Sequence, residues 1–186
     1  MAPHAPRFCK KRGMEIWLVR HGETLWNRES RLLGWTDLPL TPLGERQARA
    51  LKGQLPPLPA YSSDLTRALQ TAELAGFSPL AVFELREIHF GSLEGAAWES
   101  LEAAYKEALF HFQGFHPPGG ESLDEFQERV FRFLKGLNTP AVLFTHGGVV
   151  RAVLRALGED GLVPPAGAVL VDWPHKVLDR FPSPTE

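Results

Sequence analysis

The chain has 186 residues, of which 44% are hydrophobic and 23% charged, and this composition is typical of a globular protein with a sizeable core. The formal net charge of -2 excludes a global electrostatic field that would recruit nucleic acid or an anionic membrane. The single cysteine, Cys9, excludes an internal disulfide, which agrees with a reducing cytoplasm, and no apolar stretch is long enough to span a bilayer.

The two ends of the chain are predicted to lie outside the folded part. Residues 1–13 read MAPHAPRFCKKRG, with two prolines and a basic cluster, and no apolar segment of signal-peptide type follows them. We expect a disordered extension there, with Met14 as a candidate alternative translation start. A single domain is predicted over residues 14–181, and residues 182–186 are predicted to fray.

Short apolar runs alternate with helix signals in the first half of the chain. Thr41 and Pro42 are typical of a helix start, as N-cap and first-turn proline, and Pro56 ends the apolar periodicity. Ser63 is expected to cap the next helix, which Gly76 closes. The predicted strands cover residues 16–19, 60–62 and 80–83, and the predicted helices cover 42–55 and 64–75.

The second half of the chain continues this alternation. Residues 98–112 have a helical pattern, and a loop is predicted over 113–120. Ser122 and Glu125 form a capping box that starts a helix ending near residue 137. A strand over 141–145, a helix over 148–157 and a strand over 169–171 follow. Strands that alternate with helices predict an α/β fold: a three-layer α/β/α sandwich with a largely parallel central sheet.

Two histidines follow predicted strands at the same end of this sheet. His21 comes directly after the first strand, and His146 follows the strand over 141–145. Ligands of open α/β sheets bind at the carboxyl ends of the strands, so both imidazoles are expected to face one crevice. Gly147 and Gly148 would let a ligand approach the backbone at a helix N-terminus, where free N–H groups favour an anion.

Three charged residues are expected to join the histidines. Arg20 adjoins His21, and Arg67 lies in the first turn of a helix that also follows a strand. Two guanidinium groups and two imidazoles suit a tetrahedral phosphate. Glu87 follows the third predicted strand and offers the acid that could protonate a leaving oxygen.

Each of these residues also has a structural interpretation. A histidine is commonly a surface or packing residue, which is a sufficient account of four others: His4, His111, His116 and His175. Arg67 and Glu87, taken singly, would be ordinary solvated residues. A mononuclear metal site built from His21, His146 and Glu87 is the competing functional hypothesis, although the neighbouring arginines would repel a cation.

Five segments in chain order resemble the histidine phosphatase superfamily, which includes the cofactor-dependent phosphoglycerate mutases: LVRHGETLWN, SSDLTRALQTA, REIHFGSLEG, GGES and THGG. The resemblance implies a phosphoglycerate mutase-like fold, with His21 as the nucleophile that becomes phosphohistidine and Glu87 as the proton donor. It implies a phosphate pocket made by Arg20, Arg67 and His146. Thr24 and Asn27 resemble residues that hydrogen-bond the phosphoryl oxygens, and no metal or organic cofactor is implied.

Several segments depart from the mutase pattern. The chain has Leu33-Gly34-Trp35 where mutases resemble T-G-W, Glu87-Ile88-His89-Phe90 where they resemble E-R-H-Y, and His146-Gly147-Gly148 where they read H-G-N. The mutases also carry a longer insert with paired arginines, whereas residues 95–118 of this chain contain no arginine. A pocket with fewer cations should not hold a carboxylate and a second phosphate, so a phosphatase is predicted.

Residues 96–118 are expected to form an aromatic lid that stacks a flat organic group of the substrate. Its aromatic and histidine side chains are Trp98, Tyr105, Phe110, Phe112, Phe115 and His116, with Trp35 as an addition, although several of them could equally form a core face. The short chain and apolar lid resemble the α-ribazole-5'-phosphate phosphatases of cobalamin biosynthesis.

The expected partner is a small phosphorylated metabolite, with no nucleic acid and no membrane, in a monomer or a homodimer. A broad-specificity phosphatase, a phosphoglycerate mutase-like enzyme and an inactive phosphate-ester-binding module are the alternatives. The inactive module is disfavoured because the complete set of nucleophile and acid is retained.

Overall fold

The computed structural model describes residues 13–184, and a six-stranded sheet runs through the centre of this part of the chain. The strands of the sheet are β1 Met14–Arg20, β2 Ala60–Ser63, β3 Leu80–Val82, β4 Ala141–Thr145, β5 Ala168–Trp173 and β6 Lys176–Phe181. The predictions made for residues 1–12 and 185–186, including the disordered extension, lie outside the described residues.

Helices connect the strands. They are α1 Leu25–Arg28, α2 Pro42–Ala50, α3 Thr66–Leu74, α4 Ala103–His111, α5 Leu123–Gly136 and α6 Gly147–Ala156. Short 3₁₀ turns cover Phe83–Leu85, Gly91–Leu93 and Trp98–Ser100. No helix among residues 13–184 is long and apolar enough to cross a membrane.

The sheet is parallel at its centre and antiparallel at one edge. Its strand order is β3-β2-β4-β1-β5-β6, in which the first four strands run parallel. β5 is antiparallel to β1, and β6 is antiparallel to β5. The carboxyl ends of β1, β2 and β4 therefore meet at one edge, which is where an open α/β sheet binds its ligand.

Alternate residues of the central strands enter two separate apolar clusters, one on each face of the sheet. Ile16 and Leu18 of β1 belong to a cluster that contains buried residues of α5 and α6. Val19 belongs to the opposite cluster, which contains Leu51 and Ala72 from the region of α2 and α3. The two clusters arise from the period of two along a strand, and they confirm the predicted three-layer arrangement.

The structure differs from the predicted elements in three places. Strand β6 was missed, because its exposed charged residues give no apolar run. Helix α2 ends at residue 50 rather than 55, since the chain turns through Gly53 at a φ of +80°. The helical pattern over 98–112 is a 3₁₀ turn followed by the shorter α4.

The predicted cap of α3 also differs. The helix begins at Thr66, whose N–H donates to Asp37 Oδ1 at 2.7 Å. Ser63 does not cap this helix: its hydroxyl oxygen accepts from the N–H of Leu65, the residue before the first helical position, at 3.3 Å, and lies 2.8 Å from Nε2 of His146. The end of β2 therefore contributes a polar contact to the group of residues at the sheet edge.

Candidate active site

Adjacent parallel strands bring the two histidines together. Arg20 pairs with Thr145 in the register of β1 and β4, and the His21 N–H donates to the Thr145 carbonyl at 3.0 Å. The rings of His21 and His146 consequently lie 5.2 Å apart, centroid to centroid. The predicted juxtaposition of the two imidazoles is therefore present in the structure.

The imidazole of His21 is oriented by its own backbone. Nδ1 lies 2.7 Å from the carbonyl oxygen of Gly22, which can only accept, so Nδ1 carries the proton and Nε2 keeps a lone pair. No described residue hydrogen-bonds Nε2, and the ring lines a cavity. Burial, together with Arg67 and Arg20, holds the pKa of His21 well below its usual 6.5. The neutral ring thus presents a nucleophilic nitrogen.

Glycine follows His21 because the chain is crowded there. The Gly22 N–H donates to Thr71 Oγ1 at 3.0 Å, and a Cβ on Gly22 would lie 2.5 Å from the carbonyl oxygen of Gly44. Any larger residue would push the start of α2 away from the end of β1. The glycine thus fixes the backbone that orients the histidine.

Two arginines flank the histidines, of which Arg67 is fully buried and Arg20 is partly exposed. Arg20 donates from Nη1 to the Val163 carbonyl at 2.7 Å, and Arg67 donates to the carbonyls of Thr36 and Gly34 at 2.9 and 2.6 Å. The Nε atom of each arginine is buried and has no hydrogen-bond partner among the described residues. Burial lowers the pKa of Arg67 to about 10, so its guanidinium stays charged near neutral pH.

His146 lies deeper than predicted. Its side chain is fully buried, and its Nδ1 has no partner in the described part of the chain. Burial lowers the pKa of His146 well below its usual value, and the charges of Arg67, His21 and Arg20 act in the same direction. Arg67 is equally buried, and neither residue is among those that line the cavity, which differs from the expected exposure of both to the crevice.

Glu87 lies on the cavity wall beside the start of α6. Its two carboxylate oxygens accept from the N–H groups of Ile88 and Gly148, each at 3.0 Å. Burial raises the pKa of Glu87, and the two N–H groups and the arginines only partly oppose this shift. The acid therefore keeps its proton to a higher pH than an exposed glutamate does.

The predicted ligand-side residues are divided. Asn27 lines the cavity, and its Oδ1 accepts from the N–H and hydroxyl of Thr24 at 3.1 and 2.9 Å, which leaves its amide N–H₂ as a donor. Thr24 is fully buried, caps α1 and does not line the cavity. Gly147 does line it, and a Cβ there would lie 3.3 Å from Arg20 Nε.

The cavity has a volume of about 1070 Å³, and most of its lining is apolar. Trp98, Phe110 and Phe112 line it as expected of a lid, together with Leu109. Tyr105, Phe115 and His116 do not line it, and neither does Trp35. The indole of Trp35 instead donates to the Glu87 carbonyl at 2.8 Å.

Residues that the sequence did not indicate also line the cavity. They include three arginines, each bonded to a carboxylate: Arg31 to Glu29, and both Arg151 and Arg155 to Asp160, at 2.8–2.9 Å. Arg151 also donates to the carbonyls of Leu109 and Phe110 at the end of α4. These contacts join residues 42 and 41 positions apart, so no local pattern could have indicated them.

The arrangement of side chains bears on the competing hypothesis of a mononuclear metal site. Among residues 13–184, no group of three or more histidine, cysteine, aspartate or glutamate side chains is placed to hold a metal ion. The trio of His21, His146 and Glu87 thus does not form such a group.

Comparison with known proteins gives consistent relatives. The model of the histidine phosphatase superfamily (branch 1) matches residues 16–164. A crystal structure of phosphoglycerate mutase from Thermus thermophilus is 78% identical, covers 90% of this chain and 98% of its own, and superimposes with a TM-score of 0.89. A mycobacterial glucosyl-3-phosphoglycerate phosphatase is 29% identical over 86% of this chain and 90% of its own, with a TM-score of 0.71.

Two curated relatives differ in the reaction for which they are named. A metal-independent phosphoserine phosphatase from Arabidopsis thaliana is 39% identical over 75% of this chain and 66% of its own length. A 2,3-bisphosphoglycerate-dependent phosphoglycerate mutase from Gloeobacter violaceus is 36% identical over 75% of this chain and 74% of its own. All these relatives are named as enzymes of phosphate esters. The chain therefore belongs to the histidine phosphatase superfamily and is an enzyme of that superfamily.

Proposed function

We propose that the chain is a metal-independent phosphomonoesterase that works through a phosphohistidine at His21. The observation that carries this proposal is the neutral imidazole of His21. Its Nδ1 proton is engaged by the Gly22 carbonyl, and its Nε2 has no partner among the described residues, on the wall that also holds Glu87. An imidazole held in this tautomer is a nucleophile ready for in-line attack.

In the first step, Nε2 of His21 attacks phosphorus and the ester oxygen departs. Arg20, which lines the cavity, and the buried Arg67 stabilise the charge on the equatorial oxygens through their positive charges. Glu87, whose pKa is raised by burial, gives its proton to the departing alkoxide. The products of this step are an alcohol and phosphorylated His21.

In the second step, water attacks the phosphorylated imidazole. The carboxylate of Glu87 takes one proton from this water, the phosphorus–nitrogen bond breaks, and inorganic phosphate leaves. His21 and protonated Glu87 are thereby restored. The same carboxyl thus serves as acid and then as base, which gives ping-pong kinetics.

The aromatic side chains of the cavity lining favour a substrate with a flat apolar group, and we propose α-ribazole 5'-phosphate, which would place the enzyme in cobalamin biosynthesis. Trp98, Phe110 and Phe112 supply aromatic faces beside the phosphate pocket. Arg31, Arg151 and Arg155 of the cavity lining are paired with carboxylates. A substrate with a second phosphate or a carboxylate would have to compete with Glu29 and Asp160 for them.

Two alternatives have support from the relatives. A mutase acting on phosphoglycerate agrees with the name of the Thermus relative, and a phosphatase acting on phosphoserine agrees with that of the Arabidopsis relative. A broad-specificity phosphatase agrees with an apolar wall that has few unpaired polar groups. An inactive phosphate-ester-binding module would bind these esters without turnover.

The substrate is tested by measuring kcat/KM for phosphate release from α-ribazole 5'-phosphate, phosphoserine, 3-phosphoglycerate, fructose 2,6-bisphosphate and 4-nitrophenyl phosphate. We expect α-ribazole 5'-phosphate to exceed the others by at least about tenfold, the effect of roughly 1.4 kcal/mol. Equal, slow rates would indicate the broad-specificity enzyme. Interconversion of 2- and 3-phosphoglycerate that exceeds phosphate release would indicate the mutase.

The chemistry is tested separately by trapping the intermediate. Rapid mixing with ³²P-labelled substrate should label the wild-type protein at one site with a bond that is labile to acid and stable to base. His21→Ala should abolish both labelling and turnover. Labelling that survives in His21→Ala would refute the assignment of the nucleophile, whichever ester proves to be the substrate.

A further inference from the structure

Glu87 lies in an irregular segment of chain. The segment from residue 84 to 89 connects the 3₁₀ turns Phe83–Leu85 and Gly91–Leu93, and residues 86–89 belong to neither helix nor strand. The backbone of such a segment has no sheet ladder to fix it, so other groups must satisfy its polar atoms. The position of the Glu87 carboxyl depends on what holds this backbone.

A buried arginine from α5 meets this requirement. Arg129 is 6% exposed, and it makes five hydrogen bonds, as many as its guanidinium has N–H donors. Nη1 donates to the carbonyls of Glu84 and Arg86 at 2.9 and 3.0 Å, and Nη2 donates to the carbonyl of Glu87 at 3.1 Å. Three backbone carbonyls at or next to the proton donor thus accept hydrogen bonds from one side chain.

The carboxylate of Glu121 completes the arrangement. It accepts from Arg129 Nε at 2.9 Å and from Nη2 at 2.7 Å, and its Oε1 also accepts from the His89 N–H at 2.9 Å. The bidentate ion pair fixes the plane of the guanidinium, while the contact with His89 fixes the segment beyond Glu87. The pair therefore holds the segment on both sides of the acid.

We infer that Arg129 and Glu121 are positioning residues for Glu87, and that they act by holding the backbone from residue 84 to 89. This inference rests on the proposed role of Glu87 as proton donor. Neither residue lines the cavity, so neither touches the substrate. Their effect on the reaction is expected only through the placement of the Glu87 carboxyl.

The dependence on the leaving group separates this role from a merely structural one. An alkyl phosphate needs a proton on its departing oxygen, whereas 4-nitrophenolate leaves without one. A misplaced Glu87 should slow phosphorylation of His21 by an alkyl ester much more than by the aryl ester. General loss of folded protein would lower both rates by the same factor.

The experiment compares Arg129→Lys with Arg132→Lys in single-turnover phosphorylation by α-ribazole 5'-phosphate and by 4-nitrophenyl phosphate. Lysine keeps the charge but cannot direct five N–H groups to separate acceptors. Arg132 lies on the same helix and forms an exposed 3.7 Å ion pair with Glu128, so its variant is the matched control. We expect Arg129→Lys to lose about 10²-fold with the alkyl ester and under tenfold with the aryl ester. We expect the control to match the wild type.

Two further variants make the outcome decisive. Glu87→Gln should show the same selective loss. If it does not, the proposed proton donor is wrong. If Glu87→Gln is selective but Arg129→Lys slows both esters equally, the positioning role is wrong and the proposed function stands. Should Arg129→Lys fail to fold, Glu121→Gln provides the same comparison, since its amide oxygen still accepts from His89 while one bond to Arg129 is lost.

Discussion

Substitution of Gly148 by alanine should displace the proton donor directly. A Cβ at this position would overlap Glu87 Oε1 and would lie 3.0 Å from Cδ and 3.2 Å from Oε2. Ordinary contacts of a carbon atom begin near 3.5 Å, so the carboxyl must move by about 1 Å. The same movement lengthens the 3.0 Å hydrogen bond from the Gly148 N–H to Oε2.

This movement has a predictable catalytic cost. A displacement of about 1 Å in a reacting group lowers a rate by roughly 10²-fold, and a general acid contributes about 10²–10⁴-fold in all. We therefore expect kcat of Gly148→Ala to fall about 10²-fold with an alkyl phosphate. The fold should survive, because alanine favours a helix over glycine by about 1 kcal/mol and Gly148 lies in α6.

The assay is steady-state phosphate release, with thermal unfolding measured in parallel. Gly136→Ala is the matched control, since Gly136 ends α5 and a Cβ there would have no neighbour within 4 Å. The control should keep wild-type kcat. A Gly148→Ala enzyme with kcat within about threefold of wild type would refute the reasoning, because the carboxyl would then tolerate a shift of this size.

Three other predictions concern pH, the lid and metal. The reaction needs Glu87 protonated and His21 neutral, and the pKa of Glu87 is raised above its usual 4.5 while that of His21 is lowered below 6.5. Hence kcat/KM for an alkyl phosphate should fall as pH rises through the pKa of Glu87, whereas kcat/KM for 4-nitrophenyl phosphate should show no such fall. Identical pH profiles for the two esters would contradict the role of Glu87 as proton donor. Arg151→Met removes the bonds to the Leu109 and Phe110 carbonyls. It should raise KM for α-ribazole 5'-phosphate several-fold with kcat little changed, and a fall in kcat alone would contradict a lid role. Activity should survive dialysis against a chelator; a loss that zinc restores would indicate a metallophosphatase.

The fold could be predicted where burial of an element is visible in its sequence as an apolar pattern. Strand β4 is buried along its whole length, and its apolar run AVLFT shows this directly. Strand β6 gave no such signal because it is an edge strand, with Asp179 and Arg180 exposed to solvent. Helix α2 was extended too far because Leu51 stays buried after the helix ends, so burial continued the apolar pattern while the backbone turned.

The proximity of His21, His146 and Glu87 could be predicted from the sequence, but the depth at which each residue lies could not. His21 and Glu87 follow predicted strands, and the topology of a parallel sheet then brings such positions together. The full burial of Arg67 depends on carbonyls of Thr36 and Gly34, which lie 31 and 33 residues away. Contacts between distant segments carry no local pattern, and Arg129 was missed for the same reason.

The two arginines should contribute the same binding energy whichever phosphate ester is bound. Arg20 lines the cavity, and the charge of the buried Arg67 acts on His21, so both charges would attract any phosphate beside His21. The aromatic side chains of the cavity lining, by contrast, offer mainly contact area to the leaving group. Affinity for the phosphoryl group should therefore be common to all substrates, and discrimination between esters should depend on the wall formed by Trp98, Phe110 and Phe112.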